Sequence, residues 1–240
     1  MLNDKRFWLN VWILLIFLML SLGYANLYAD DISITGTVKI IDKNGAVKGD
    51  YSGVVVFLDE FEQPLRFPSP PSKPKTIQQV NKRFIPEVLA VVAGTTVDFP
   101  NNDTIYHNVF SLSKTQPFDL GLYSYGSSKS VKFDRLGLVK VYCNIHPQML
   151  AYILVLANPY FTVTDSNGHF TLSNVPLGAV TIRTWYPRSQ QFPEKRVVVT
   201  SQGINNLDLT LVENVQFQIQ EETISIEHKN KWGQDYPEKY

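Results

Sequence analysis

Val141-Tyr142-Cys143-Asn144-Ile145-His146-Pro147-Gln148-Met149, VYCNIHPQM, holds the only cysteine of the chain, one of its four histidines and one of its three methionines. The cysteine, imidazole and thioether recur at every third position, 143, 146 and 149. In 240 residues otherwise poor in sulfur and imidazole, that clustering asks for a chemical reason. Taken alone, Cys143 reads in three ways: an inert buried thiol, an intermolecular link, or a metal ligand.

The rest of the chain narrows the choice. A hydrophobic content of 44% and a charged content of 18% describe a folded protein with a real core. Lys plus Arg equals Asp plus Glu at 22 each, so no global field draws the protein to nucleic acid, and nucleic acid is excluded as an expected partner. At the N-terminus, a short basic start (MLNDKR) precedes an apolar run (FWLNVWILLIFLMLSL) and small-residue cleavage sites after Ala25 or Ala29. That order reads as a secretory signal over residues 1–29, with an uncleaved anchor as the competing reading. The expected location is periplasmic, with membrane contact only if that segment is retained. In an exported chain a single cysteine has no intramolecular partner, which sharpens the question of what Cys143 does.

From about residue 30 onward, short β-branched and aromatic runs follow one another: ISITGTVKII, GVVVFLDE, LAVVAGTTVDF, LVKVYC, AYILVL, HFTL, AVTIRTW, KRVVVT and NLDLTLV. Turn residues separate them (KNG, PNND, DSNG, NVPLG), and no segment carries a convincing helical period. The expected fold class is all-β. The proline-rich stretch FEQPLRFPSPPSKPKT, with Pro64, Pro68, Pro70, Pro71 and Pro74, reads as an extended surface connection. The polar tail, 214–240, alternates weakly in QFQIQ and reads as an edge strand or a mobile end.

Two separated pieces share a motif. Thr164-Asp165-Ser166-Asn167-Gly168-His169-Phe170 and Val175-Pro176-Leu177-Gly178, with the strands before residue 60, resemble a carboxypeptidase regulatory-like (transthyretin-like) domain. That resemblance implies a small β-sandwich built from residues 30–60 and 161–213, with a second β-domain over 61–160 (proline-rich lead-in 61–76) inserted in it or packed tightly against it.

C-x2-H-x2-M needs a second imidazole, and His107 offers one, 36 residues before Cys143, at a strand edge that a sandwich can bring to the opposite loop. A thiolate and two imidazoles in a plane, with a weak axial thioether, are the donor set of blue copper. Zinc prefers four stronger ligands, and no second cysteine exists to complete them. The run Gly94 through Phe99, then His107-Asn108-Val109, Gly137 and the C-x2-H-x2-M loop resemble the cupredoxins. The likeness is to plastocyanin and, through Pro147 directly after the second histidine, to amicyanin. A wider set of residues, from Gln79 to Pro86, Phe99-Pro100-Asn101 and Cys143 to Pro147, is similar to exported methylamine-utilisation-type plastocyanin-like proteins.

The resemblance implies a Greek-key cupredoxin sandwich combined with the second small sandwich, holding one type 1 copper ion. It makes His107, Cys143 and His146 equatorial ligands and Met149 the axial one. Asn108 would tie the ligand loops together, and His146 with Pro147 would form the electron-transfer surface. The implied partners are a protein redox donor and acceptor. His169 and His228 read as solvated surface residues. Beside a single filled copper site the chain has no histidine-rich second centre, G-x-S-x-G, HExxH or phosphate loop, so an electron carrier is expected rather than an enzyme. A copper-delivery protein and a structural β-module with a relic site are the other two classes.

Overall fold

A computed structural model describes residues 32–189 and 192–214, so the expected signal, the tail strand and His228 lie outside the described residues. Every described element is a strand. The first two are β1 (Ile34–Ile41) and β2 (Val55–Asp59). Ten follow in the middle of the chain: β3 (Lys75–Thr76), β4 (Gln78–Val80), β5 (Arg83–Ile85), β6 (Val88–Val92), β7 (Thr95–Pro100), β8 (His107–Ser111), β9 (Phe118–Tyr123), β10 (Ser128–Phe133), β11 (Gly137–Tyr142) and β12 (Leu150–Leu156). The last five are β13 (Phe161–Val163), β14 (His169–Leu172), β15 (Gly178–Trp185), β16 (Glu194–Val199) and β17 (Ile204–Val212).

The middle strands build one sandwich. A five-stranded sheet, β6-β12-β11-β8-β9, faces a three-stranded sheet, β10-β7-β3, and the β4-β5 hairpin lies beside them. The chain changes sheet between β6 and β7, between β7 and β8, and on either side of β10, as Greek-key connections do. Inside lie Val97, Phe99, Phe133, Val139, Val141, Ile153 and Val155, together with Cys143 and Met149. The proline-rich stretch carries no strand before Lys75 and is mostly exposed; its Phe67 stacks on Phe61 and Tyr160.

Strands from both ends of the chain build the other sandwich. β1 pairs with β14 and, in parallel, with β17; β2 pairs with β13 and β15. The turn motif noted in the sequence has a physical basis here. Asp165 Oδ1 accepts from the N–H groups of Asn167 and His169, both at 2.9 Å. Gly168 has φ +78°, and a Cβ there would sit 2.1 Å from the Val38 carbonyl oxygen, so only glycine lets β14 approach β1. Thr164 Oγ1 receives the Val54 N–H at 3.1 Å and donates to the Tyr51 carbonyl at 2.6 Å, locking the turn to β2. His169 is exposed at that turn.

The two sandwiches share a third apolar seam. Val55 and Trp185, with Phe57 and Phe161 beside them, meet Val88, Ala90, Tyr152, Leu154 and Leu156. The result is four stacked sheets with two of them covered on both faces. Burial patterns record this directly: β7 alternates, as a strand with one wet face does, whereas β12 is buried at six successive residues after Leu150. Leu154→Ala removes a side chain from this seam and is expected to cost about 2–5 kcal/mol. Chemical denaturation followed at Trp185, on the opposite side of the seam, should show that loss in one cooperative transition; two separated transitions would show that the sandwiches unfold independently.

Candidate metal centre

β8 and β11 are adjacent and antiparallel, registered by the Tyr142–Phe110 pair. That register turns His107, Val109, Val139, Val141 and Cys143 into the same sandwich interior and brings the start of β8 to the end of β11. Cys143 Sγ lies 3.9 Å from Nδ1 of His107 and 3.9 Å from Nδ1 of His146. The two Nδ1 atoms are 3.1 Å apart, with ring centroids 4.8 Å apart. Among the described residues, His107, Cys143 and His146 are the group whose donor atoms could hold a metal ion.

The triangle fits a small cation. A point in its plane equidistant from the three atoms lies about 2.1 Å from each, close to the ~2.0–2.3 Å bonds a first-row metal makes to imidazole and thiolate. The facing nitrogens point the same way. His107 Nε2 is 2.7 Å from Asp103 Oδ2, and an ionised carboxylate only accepts, so the ring proton sits on Nε2 and the Nδ1 lone pair faces His146.

Asp103 is the functional residue that the sequence did not single out. Its carboxylate takes the N–H groups of Asn81 and Lys82 at 2.7 and 2.8 Å as well as His107. Asn81 and Lys82 both have positive φ, 51° and 54°, and form the two-residue hairpin turn between β4 and β5. One carboxylate thus orients a ring and clamps a hairpin over it. Burial alone would raise the Asp103 pKa, but the Lys82 N–H, the His107 ring and the Asn81 N–H outweigh it and hold the carboxyl below the usual carboxylate range. The loop that presents Asp103 is itself pinned by buried Asn101. Its amide donates to the carbonyls of Ile105 and Tyr123 at 2.9 and 3.0 Å, while its oxygen takes the Asp103 N–H at 2.9 Å. In the sequence Asn101-Asn102-Asp103 reads only as a turn, and outside a helix the four-residue step from Asp103 to His107 has no periodic signature.

The remaining candidates fall as follows. Met149 is fully buried in the same core as Cys143, and its N–H donates to the His146 carbonyl at 2.9 Å, closing the loop between them. His146 is half-buried and Pro147 exposed. The Asn108 amide donates to Asp119 Oδ1 on β9 at 2.9 Å, so its side chain joins β8 to β9, while its backbone N–H is directed at Cys143. Burial pushes the Cys143 thiol above its ordinary pKa, partly offset by the N–H groups of Asn108, Ile145 and His146 around the sulfur. The same N–H groups would stabilise a metal-bound thiolate, which loses its proton to the ion. Burial, then the neighbouring His107 and Lys82, lower the pKa of His146 and favour a neutral ring with a free lone pair.

A β-sandwich carrying a His–Cys–His cluster with a buried methionine at the end of the same loop resembles the cupredoxins. Solved structures similar to the chain include amicyanin from Paracoccus versutus, 18% identical over 37% of this chain and 92% of its own, with a TM-score of 0.34. A purple cupredoxin from Nitrosopumilus maritimus is 24% identical over 34% of this chain and 99% of its own, with a TM-score of 0.32. A Cu-containing nitrite reductase (NirK) from Thermus scotoductus SA-01 is 28% identical over 39% of this chain, at a TM-score of 0.34, and only 25% of that enzyme's length is spanned. No family model and no curated protein matches the chain.

Asp103→Ala frees the His107 ring and unclamps the hairpin. It is expected to weaken metal affinity about 10–100-fold, as loss of an outer partner to a ligating histidine does. Competition against a chelator of known affinity measures this; unchanged affinity would show that β8 alone orients the ring.

Proposed function

We propose that the chain is a mononuclear type 1 copper protein of the periplasm that passes single electrons between a protein donor and a protein acceptor. The observation that carries this is the triangle of His107 Nδ1, Cys143 Sγ and His146 Nδ1. The donor chemistry narrows the ion: one soft thiolate with two imidazoles suits copper in both oxidation states, and the set lacks the fourth strong ligand of a structural zinc site. Bound there, copper supplies a one-electron couple between Cu(II) and Cu(I).

The residues of this chain do the rest. His107, Cys143 and His146 would hold the ion, and Met149, buried in the same core, would add a weaker thioether donor. Asp103 fixes the His107 ring so that it need not turn when the charge of the site changes. The apolar interior around Cys143 excludes water, and the half-buried His146 beside exposed Pro147 gives the site its contact with a redox partner. With all four donors engaged, the ion would have no position left for a substrate, which supports a carrier over a catalyst in its own right. Residues 61–160 would serve as the copper domain inserted into a regulatory-like domain formed by 30–60 and 161–213, and the segment 1–29 as the export signal.

One equivalent of Cu(II) added to metal-free protein is expected to give an intense visible thiolate-to-copper band and narrow copper hyperfine splitting in EPR. Cys143→Ser should abolish the band. Met149→Leu should keep it and shift the reduction potential, because the axial bond is weak. A colourless product would overturn the electron-carrier reading, and loss of copper from Met149→Leu would overturn the assigned ligand roles.

A further inference from the structure

Four loops meet around the half-buried His146, at one end of the copper-side sandwich. The 81–82 turn of the β4-β5 hairpin binds Asp103 through the N–H groups of Asn81 and Lys82, and Asp103 in turn holds the His107 ring. Nδ1 of that ring is 3.1 Å from Nδ1 of His146, on the loop 143–149. The turn 124–127 between β9 and β10 joins them through the Gly126 N–H, which donates to the Asn101 carbonyl at 2.8 Å.

The chain as a whole carries 22 basic and 22 acidic residues, yet these loops, with the first residue of β5, carry Lys82 and Arg83 against Asp103 alone. Asp103 is a poor counterweight at the surface. Its side chain is only 13% exposed, and its oxygens already accept from Asn81, Lys82 and the His107 ring. Lys82 and Arg83 are exposed, and no ion pair among the described residues involves either of them. Lys132, Arg183 and Arg188, elsewhere in the molecule, each meet a carboxylate. Lys82 also lies near enough to His146 for its charge to act on that ring. Asn-Gly is the pair that a two-residue hairpin turn favours, and Lys82, at φ 54°, stands in the place of the glycine. A charged side chain is thus presented where the backbone would favour none. Phe84 is buried, so alternation turns Arg83 and Ile85 outward, and exposed Tyr106, Tyr125 and Pro147 add apolar surface at the same end. An apolar centre with an unpaired charged rim is the anatomy of a transient protein contact, in which the rim charge sets the sign of the partner and the encounter rate.

Resting on the copper reading above, we propose that the β4-β5 hairpin is the partner-recognition element of the site, and that the redox protein reached through His146 presents an acidic surface around its own electron port. Lys82 and Arg83 draw that surface in and pair with its carboxylates at the rim, while the apolar side chains close over His146. The Asp103 clamp ties the hairpin to the His107 ring, so the recognising charges stand at a set distance from the metal site. The copper and the partner change by one electron in opposite senses, and no bond is made or broken.

The test uses the full chain loaded with copper, exchanging electrons in stopped flow with two c-type cytochromes of matched potential, one acidic around its exposed haem edge and one basic. Exchange with the acidic cytochrome should be the faster. It should slow about tenfold or more between ionic strengths of about 0.01 and 1 M, as the screening length falls from about 30 to about 3 Å. Lys82→Glu with Arg83→Glu should remove the advantage at low salt and converge with the parent at high salt, where the steering is screened. Arg83→Glu alone, which leaves the residues of the Asp103 clamp unchanged, should remove part of it. Lys195→Glu with Arg196→Glu, on β16 of the other sandwich, alters the net charge equally and should leave most of it. Faster exchange with the basic cytochrome, or equal slowing by the hairpin and β16 variants, would overturn the proposal. A parent without the visible band would refute the copper reading instead. Amide shifts of the metal-free chain titrated with the acidic cytochrome would then decide the docking: shifts at Lys82, Arg83 and Tyr106 would uphold it, and shifts confined to other surfaces would overturn it.

Discussion

The arrangement of the site depends on one registered contact, the pairing of Tyr142 on β11 with Phe110 on β8. Side chains alternate along a strand, so a slip of one residue in that pairing would turn Cys143 out of the core, and a slip on β8 would do the same to His107. The register is held from several sides. Val109 and Val141 are fully buried in the same core, β12 pairs along the whole of β11, and β9 pairs with β8 on its other edge. The Asn108 amide adds a side-chain tie from β8 to β9. Two donors far apart in the chain are thus fixed by the backbone ladder, and the third comes from the short loop that returns to β12.

On the proposed reading, a stiff framework would matter because the two oxidation states of copper prefer different geometries. A loop free to relax would follow each preference and raise the barrier to electron transfer. Here the loop is closed by the Met149–His146 backbone hydrogen bond, its sulfur end is surrounded by backbone N–H groups, and its histidine partner is held from behind by Asp103. The second sandwich adds to this stiffness. By covering the outer face of β12 and β6, it turns the sheet that carries the site from a half-exposed layer into a buried one.

Much of this was legible in the sequence because the informative residues are rare and their spacing is chemical. Cys143 and His146 stand in one loop and His107 at the head of an apolar strand, and the fold brings these three donors together. The T-D-x-x-G turn announced the second sandwich because only glycine fits at 168. Other parts were not legible. Asp103 belongs to a run of turn-forming residues, and nothing in the sequence distinguishes a carboxylate that caps a turn from one that also grips a ring. The run of β12 showed a buried strand but not which sheet would cover its second face, since continuous apolar residues carry no record of their partner. Asn108 is expected to join the ligand loops; its backbone N–H is directed at Cys143, while its side-chain amide reaches Asp119 on β9, the strand that lies alongside β8. The parallel pairing of β1 with β17 joins segments so far apart that only the closed sandwich defines it.

The central claim is that the β framework holds a copper site of two histidines and one cysteine whose geometry does not change with oxidation state. Its most direct test is X-ray absorption at the copper edge on the loaded protein, oxidised and reduced. Two nitrogen scatterers and one short sulfur scatterer are expected in both states, with distances that barely move. A site without the short sulfur, or one whose ligands lengthen or depart on reduction, would contradict it.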